Sequence, residues 1–380
     1  MMKIGFDAKR AFLNSTGLGT YSRSLLNALA NHQPALALHA YTPSAAHTRL
    51  FNPQPPIVVH RPVSFLSSLF PSAWRASYLV NDLRRDQIEV YHGLSHELPA
   101  GIEKTSIKTV VSIHDVIFRH HPEWYPRFDR TIYNLKWKHA LKVAHAVICI
   151  SHQTRQDVLH FYGNQIPCLP QKITVIPPIV EPRFTPRPLS GPPAGKPYLL
   201  AVGRLEARKN LGVMLEALAL LEPGKRPELV IAGKSTDYQK ELERLTAEKQ
   251  LEGSVRFTGE VSAGALSDLL AGSLALVYPS RMEGFGYPIV EAQQAGVPVI
   301  CSDIPLFREV AGAGALFANP LDPDAWKLAL QNILQMNENQ YQTYQEAGFR
   351  NTSRFSPKQG AIDCFRVYES LLGKEPATTV

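Results

Sequence analysis

The sequence predicts an α/β protein made of two doubly wound parallel-sheet domains facing an interdomain cleft. Three observations predict it. Short β-rich runs alternate with amphipathic helical stretches along the chain. Several runs are apolar on successive residues, as strands buried on both faces must be. One proline-rich stretch without periodicity interrupts the alternation. In the first half, 3–7, 35–41, 57–60, 88–92, 109–115, 145–151 and 173–178 read as strands. Between them Leu18, Tyr21, Leu25, Leu26 and Leu29 recur at helical spacing, as do Tyr133, Trp137, Leu141 and Ala144. Prolines with Gly191 and Gly195 crowd 177–197, which puts an N-terminal domain at 1–183 and a C-terminal domain at 184–355. Strands resume at 197–203, 227–233, 255–259, 274–280, 297–302 and 314–318. The intervening helices are Leu211–Leu221, Tyr238–Gln250, Ala265–Ala271, Pro288–Ala295 and Asp324–Met336. A last helix over Ser356–Leu372 takes Ser356 as N-cap and Pro357 as its first residue.

Composition excludes several classes. With 380 residues, 44% hydrophobic and 19% charged, the chain can bury a large core and is neither disordered nor fibrous. No apolar run reaches the ~20 residues needed to span a bilayer. Lys3, Asp7, Lys9 and Arg10 stand where a signal peptide would be apolar. Cys149, Cys168, Cys301 and Cys364 lie far apart, with neither zinc nor disulfide spacing, so a cytoplasmic location is expected. The net charge of +7 permits attraction to phosphates, acidic lipids or nucleotides. Without an RNP-like strand, a helix-turn-helix or a basic tail, no nucleic-acid partner is expected.

Four motifs carry chemistry. In NSTGLGTYS (14–22), Gly17 and Gly19 precede a helix, so the backbone can approach an anion at its N-terminus. The plain alternative is a tight turn capped by Ser15 or Thr16. Ile113-His114-Asp115 ends the fifth strand, where side chains face a cleft; a packed histidine bonded to its neighbouring carboxylate is the alternative. A metal-dependent His–Asp phosphohydrolase would need further ligands at helical spacing, which are missing. In VGRLEARKN (202–210), Arg204 and Lys209 bracket a loop suited to a pyrophosphate, or form a solvated basic turn to which Arg208 belongs. In PSRMEGFGYPIVEAQQAG (279–296), Glu283 opens a turn with Gly284 and Gly286. Pro288 then takes the first position of a helix that carries Glu291 in its first turn and stops at Gly296. Both glutamates can bond sugar hydroxyls at that helix N-terminus. A glycosidase carboxylate pair competes with this reading, and simple helix stabilisation competes for Glu291.

Together, Gly17-Leu18-Gly19, IHD at 113–115, GRLEARKN at 203–210 and Glu283-(seven residues)-Glu291 resemble the retaining glycosyltransferases of family 4, whose GT-B fold has two Rossmann-like domains. SDIPLFREVAG (302–312) continues the likeness, which covers nearly the whole chain. The resemblance implies that Glu291 bonds the nucleotide ribose and Glu283 the donor hexose, helped by the backbone N–H groups of Gly284, Phe285 and Gly286. It implies that Arg204 and Lys209 neutralise the departing diphosphate, and that Gly17 and Gly19 let a loop close over it. His114 would lie near the anomeric carbon and O6, and segment 356–380 would pack back on the N-terminal domain.

The implied reaction moves a hexose from a nucleotide-diphosphate sugar, GDP-mannose or UDP-glucose, to a glycan or lipid-linked acceptor in surface-polysaccharide synthesis, with retention and without a metal. No aspartate–any–aspartate metal motif stands at a strand end. Arg204→Ala and Lys209→Ala are both expected to be severe, since each removes a preorganised charge. HGLSHELP (92–99) touches the acceptor through His92 or His96, or is a solvated loop. Arg119, His120, His121, Trp124, Tyr125, Arg127, Arg130, Lys136, Trp137, Lys138 and Lys142 mix cations with aromatics. Such a segment suits an acidic membrane surface or a lipid-linked pyrophosphate, or is an ordinary solvated basic face. Two other functions fit the same parts: a nucleotide-sugar epimerase, which the Glu283–Glu291 block does not suit, and a catalytically silent carbohydrate-binding subunit.

Overall fold

A computed structural model of the chain describes residues 1–43, 48–62, 74–182, 184, 186, 188–189, 191–193 and 197–373. The remainder of the proline-rich stretch and of segment 356–380 lies outside the described residues. The first sheet holds β1 (Met2–Asp7), β2 (Leu36–Tyr41), β3 (Ile57–His60), β4 (Val90–Gly93), β5 (Lys108–Ile113), β6 (Ala146–Cys149) and β7 (Ile173–Val175), in the order β3-β2-β1-β4-β5-β6-β7. The second holds β8 (Tyr198–Val202), β9 (Glu228–Ala232), β10 (Val255–Gly259), β11 (Ala275–Tyr278), β12 (Val299–Ser302) and β13 (Ala315–Ala318), in the order β10-β9-β8-β11-β12-β13. Every pairing is parallel. Strand order reverses once per sheet, between β1 and β4 and between β8 and β11. A crevice opens there, beyond the carboxyl ends of the diverging strands.

Burial explains the sequence pattern. β4, β6, β11 and β12 bury every residue, so their runs are apolar on successive residues apart from buried His92 in β4 and Ser302 in β12. The edge strands β3 and β10 instead expose Val58 and Arg256, and Arg256 is anchored to Glu228 at 2.6 Å. Helices occupy Leu211–Ala219, Tyr238–Glu248, Ala263–Gly272, Tyr287–Gln294, Pro323–Gln335 and Pro357–Leu371. Lys9–Leu13, Pro305–Ala311 and Glu338–Thr352 are helices that periodicity did not reveal.

The chain forms two compact units: Met1–Glu181 with the segment from Phe355 onward, and Pro182–Arg354. The closing helix is built as its sequence suggests, with the Ser356 hydroxyl accepting from the Gln359 N–H and Pro357 in the first turn. It packs into the first unit through Gly360, where a Cβ would lie only 2.5 Å from Ile179 Cγ1, and through fully buried Tyr368. Trp74, Tyr91 and Trp137 lie in the first unit's core, and Trp326 and Tyr341 in the second's.

Candidate functional site

In the second unit the chain leaves β8 through Gly203 and Arg204 and makes a tight turn at Ala207–Lys209. Asn210 then adopts a left-handed conformation (φ 56°), which asparagine tolerates better than most residues. Its Nδ2 donates to the carbonyls of Pro279 (3.2 Å) and Pro320 (2.7 Å), tying the loop after β8 to the loops after β11 and β13. The Arg281 N–H adds a bond to the Arg208 carbonyl at 2.9 Å. This clamp brings Lys209 Nζ to 2.6 Å from Glu283 Oε1 and 2.8 Å from the Tyr278 hydroxyl. Arg208 Nη1 lies 2.6 Å from Glu283 Oε2, and its Nε donates to Glu206 Oε2 at 2.8 Å. Arg204 is 3.3 Å from the other Glu206 oxygen, with its side chain 57% exposed. Gly203, Arg204, Lys209, Tyr278, Pro279 and Ser280 line a recess here. Ser280 is fully buried, and its hydroxyl has no partner among the described residues.

The electrostatics of this cluster are self-compensating. Burial alone would raise the Glu283 pKa, but the Lys209 and Arg208 charges overcome it and hold the carboxyl at about 2. Burial likewise opposes the Lys209 charge, and Glu283 reverses that, raising its pKa above the ordinary lysine value. Tyr278, pushed by burial and then by Glu283 to about 12, stays a neutral phenol. Three cations (Arg204, Arg208, Lys209) thus face two carboxylates (Glu206, Glu283), an excess of one positive charge. Two expectations change. Arg208 is no part of a solvated turn, because Glu283, Glu206 and its own burial hold it inside. Glu283 is not an open carboxylate, since each oxygen already faces a cation.

The helix Tyr287–Gln294 starts from Gly286, whose φ of 105° favours glycine. A Cβ there would also come within 3.3 Å of Ile289 Cδ1 and the Phe307 ring. No side chain caps this helix start, so its N–H groups and positive dipole end suit an anion. Pro288 is the second helical residue, not the first, and Glu291 is the fifth. Glu291 therefore lies beyond the first turn, and helix-dipole stabilisation no longer accounts for it. Phe285 is buried with its ring edge-on to Tyr287 at 5.2 Å. At the far end Gly296 (φ 72°) closes a Schellman motif, through Gly296 N–H to Gln293 O and Val297 N–H to Ala292 O.

In the first unit His114 follows β5, only 5% exposed. Its Nε2 is 2.8 Å from the Leu94 carbonyl. A carbonyl only accepts, so Nε2 carries the proton and Nδ1 is left as the acceptor. Burial lowers its pKa to about 4, which keeps it neutral. Asp115 does not bond it in the manner of a packed His–Asp pair; one Asp115 oxygen accepts the Ile117 N–H at 3.1 Å. Tyr21 meets the His114 ring edge-on, with centroids 4.6 Å apart.

Gly17 and Gly19 open the helix Gly17–His32, but its N-terminal bonding comes from Asn14, not from Ser15 or Thr16. Asn14 Oδ1 accepts from the N–H of Thr16 (2.8 Å) and of Gly19 (3.2 Å). A Cβ at Gly19 would fall 1.8 Å from the Asn14 carbonyl oxygen, so packing by itself requires glycine there.

HGLSHELP is not a solvated loop. His92 is fully buried between Tyr368 and Ser112, which removes it from acceptor contact. His96 is 6% exposed, with its ring stacked 4.2 Å from that of Trp137. The cation–aromatic segment also divides. Arg119 packs over Phe161 and Tyr162, and Trp137 is core, while Arg127, Lys136, Lys138 and Lys142 are exposed on the helix Arg127–Val143. Beside them stand Phe128 and Leu135, 75% and 64% exposed, two apolar residues that the sequence had not singled out.

Two doubly wound parallel sheets, with a cation–carboxylate cluster at the switch point of the second, define a GT-B glycosyltransferase. Residues 15–184 match the profile of Glycosyltransferase Family 4, and residues 184–350 that of Glycosyl transferases group 1. O-antigen chain mannosyltransferase B of Escherichia coli is 30% identical over 360 residues, spanning 88% of this chain and 91% of that protein. O-antigen chain mannosyltransferase RfbU of Salmonella typhimurium is 40% identical over 139 residues, 37% of this chain and 39% of that one. Among solved structures, sucrose-phosphate synthase of Thermosynechococcus elongatus superposes with a TM-score of 0.78 at 20% identity, covering 98% of this chain and 100% of that one, a likeness of fold. The chain belongs to the family 4, group 1 glycosyltransferases.

Proposed function

We propose that this glycosyltransferase moves mannose from GDP-mannose to a glycan or lipid-linked acceptor in surface-polysaccharide synthesis, with retention and without a metal ion. The observation that carries the reading is the Lys209–Glu283–Arg208 cluster at the β8/β11 switch point, beside an uncapped helix start. The names of the two O-antigen mannosyltransferases support mannose as the sugar.

As the glycosidic bond loosens, charge grows on the departing diphosphate. Lys209 has three N–H donors and spends two on Tyr278 and Glu283, so one remains for a phosphate oxygen. The helix amides near Gly286 add donors that need no reorganisation. Glu283 keeps Lys209 and Arg208 fixed in place and can share its oxygens with sugar hydroxyls, while Glu291 bonds the ribose. His114, neutral and with Nδ1 as acceptor, takes a hydrogen bond from a sugar hydroxyl such as that on O6. The leaving phosphate oxygen removes the acceptor proton on the same face, which gives retention.

No described helix is long and apolar enough to cross a membrane. The exposed stripe of Phe128 and Leu135 among Arg127, Lys138 and Lys142 supports peripheral binding to an anionic bilayer. Thermal-shift titration with GDP, UDP, GDP-mannose and UDP-glucose tests the donor, with the guanine ligands expected to raise the melting temperature most. Proton NMR of the mannosylated product then tests retention. A β-linked product from the α-linked donor would overturn it, and loss of turnover on adding EDTA would overturn metal independence. Recovery in equal amounts with neutral and anionic vesicles would end the membrane reading.

A further inference from the structure

A continuous line of buried hydrogen bonds runs from the last helix of the chain to the edge of His114. The Tyr368 hydroxyl is 2.8 Å from His92 Nδ1, and His92 Nε2 is 2.8 Å from Ser112 Oγ. Ser112 Oγ is in turn 2.7 Å from the Tyr21 hydroxyl. Tyr368, His92 and Ser112 are fully buried and Tyr21 is 4% exposed. The four residues come from the helix Pro357–Leu371, β4, β5 and the helix Gly17–His32, and the line ends with the Tyr21 ring against that of His114.

The line has a preferred direction. A neutral imidazole donates from one nitrogen and accepts at the other. If His92 donated from Nδ1, the Tyr368 hydroxyl proton would be buried with no second acceptor among the described residues, and a buried donor left unpaired is unfavourable. If Tyr368 donates to Nδ1, then Nε2–H donates to Ser112, Ser112 donates to Tyr21, and every donor up to Tyr21 is satisfied.

We propose that Tyr368, His92, Ser112 and Tyr21 form a positioning line through which the C-terminal helix holds Tyr21 against His114, with the His92 proton on Nε2. The proposal rests on the reading that His114 faces the reacting sugar. None of the four need touch substrate; they act by fixing the orientation of a ring that does. Misplacement of a reacting group by about 1 Å can lower rates by about 10²-fold.

The test uses the full chain and the release of GDP from GDP-mannose. Tyr368→Phe is expected to lower kcat about tenfold while leaving KM for GDP-mannose within about twofold. Tyr162→Phe is the matched control. It removes another buried hydroxyl, bonded to Asn134 at 3.0 Å and outside the line, and is expected to keep kcat. Equal kcat losses in the two variants, or none in Tyr368→Phe, would overturn the proposal. Nitrogen-15 NMR of histidine-labelled wild-type protein gives a second readout that needs no variant to fold. An unprotonated Nδ1 on His92 is expected, and a protonated one would overturn the assigned direction. His114→Ala tests the underlying reading separately. Wild-type turnover in that variant would remove His114 from the reaction, whereas an inactive His114→Ala beside a fully active Tyr368→Phe would sink the positioning line alone.

Discussion

The two units build their polar centres from opposite materials. At the β8/β11 switch point the second unit buries formal charge, with Lys209 and Arg208 pinned on Glu283. At the carboxyl ends of β4 and β5 the first unit buries neutral groups, namely His92, Ser112 and His114 with the tyrosines around them. Under the proposed function the difference matches two tasks. A departing diphosphate needs countercharge that is already in place, whereas a sugar needs hydrogen-bonding groups whose protonation does not vary. Low-dielectric surroundings serve both, by strengthening the first kind of interaction and holding the second neutral.

Breaking the charged centre should cost most. Lys209→Ala is expected to reduce kcat/KM for GDP-mannose about 10²–10³-fold, as loss of a preorganised charge does. Glu283→Gln strands the buried Lys209 charge, leaves Arg208 with Glu206 alone, and should lower stability by about 3 kcal/mol, read from denaturant unfolding. Acid should distinguish the centres next. His92 and His114 have pKa values of about 3 and 4, below the ordinary 6.5, so the unfolded chain takes up the extra protons as pH falls. Stability from these residues is whole above 6.5 and is lost progressively toward pH 3. Glu283, at about 2 against 4.5, gives stability that is lost only below 4.5. Hydrogen-exchange protection, measured relative to the intrinsic rate at each pH, should therefore fall in β4 and β5 from pH 6.5 downward, while β11 stays protected until below 4.5. Equal onset in both units would blur the comparison. Arg204→Ala, at an exposed position paired among the described residues with Glu206, is expected to reduce kcat/KM less than Lys209→Ala and to leave the melting temperature unchanged, whereas the sequence led both to be expected severe. Asn14→Ala should have the smallest effect, about 1 kcal/mol of stability from the lost helix cap.

How far the sequence could be read follows from the range of the forces involved. All thirteen described strands were legible: inner strands such as β6 and β11 because burial on both faces writes itself into consecutive residues, edge strands such as β3 and β10 because their runs are short and rich in β-branched or aromatic residues. Glu338–Thr352 escaped notice because it is polar on most sides, although Asn337 and Gln340 form a capping box at its start. Within the site, Lys209, Glu283 and Gly286 were legible from motif spacing. Arg208 was not, because its role comes from a carboxylate 75 residues away, and an arginine in a loop carries no local sign of burial. His92 is harder still. It ends the strand read at 88–92, but the partners that hold its ring inside, Ser112 and Tyr368, stand 20 and 276 positions on. Asn210 left a faint signal, an asparagine directly before an apolar helix, but its two carbonyl partners lie in distant loops.

The Asn210 clamp has a consequence for how the enzyme tolerates change. Because one amide fastens two separate connections, a residue inserted or lost between Pro279 and Glu283 would change the spacing of Lys209 and Glu283, whereas one added beyond the fastening would leave it alone. Variation among related enzymes should therefore collect on the outer side of that fastening, where chain length can drift without disturbing the cation–carboxylate cluster.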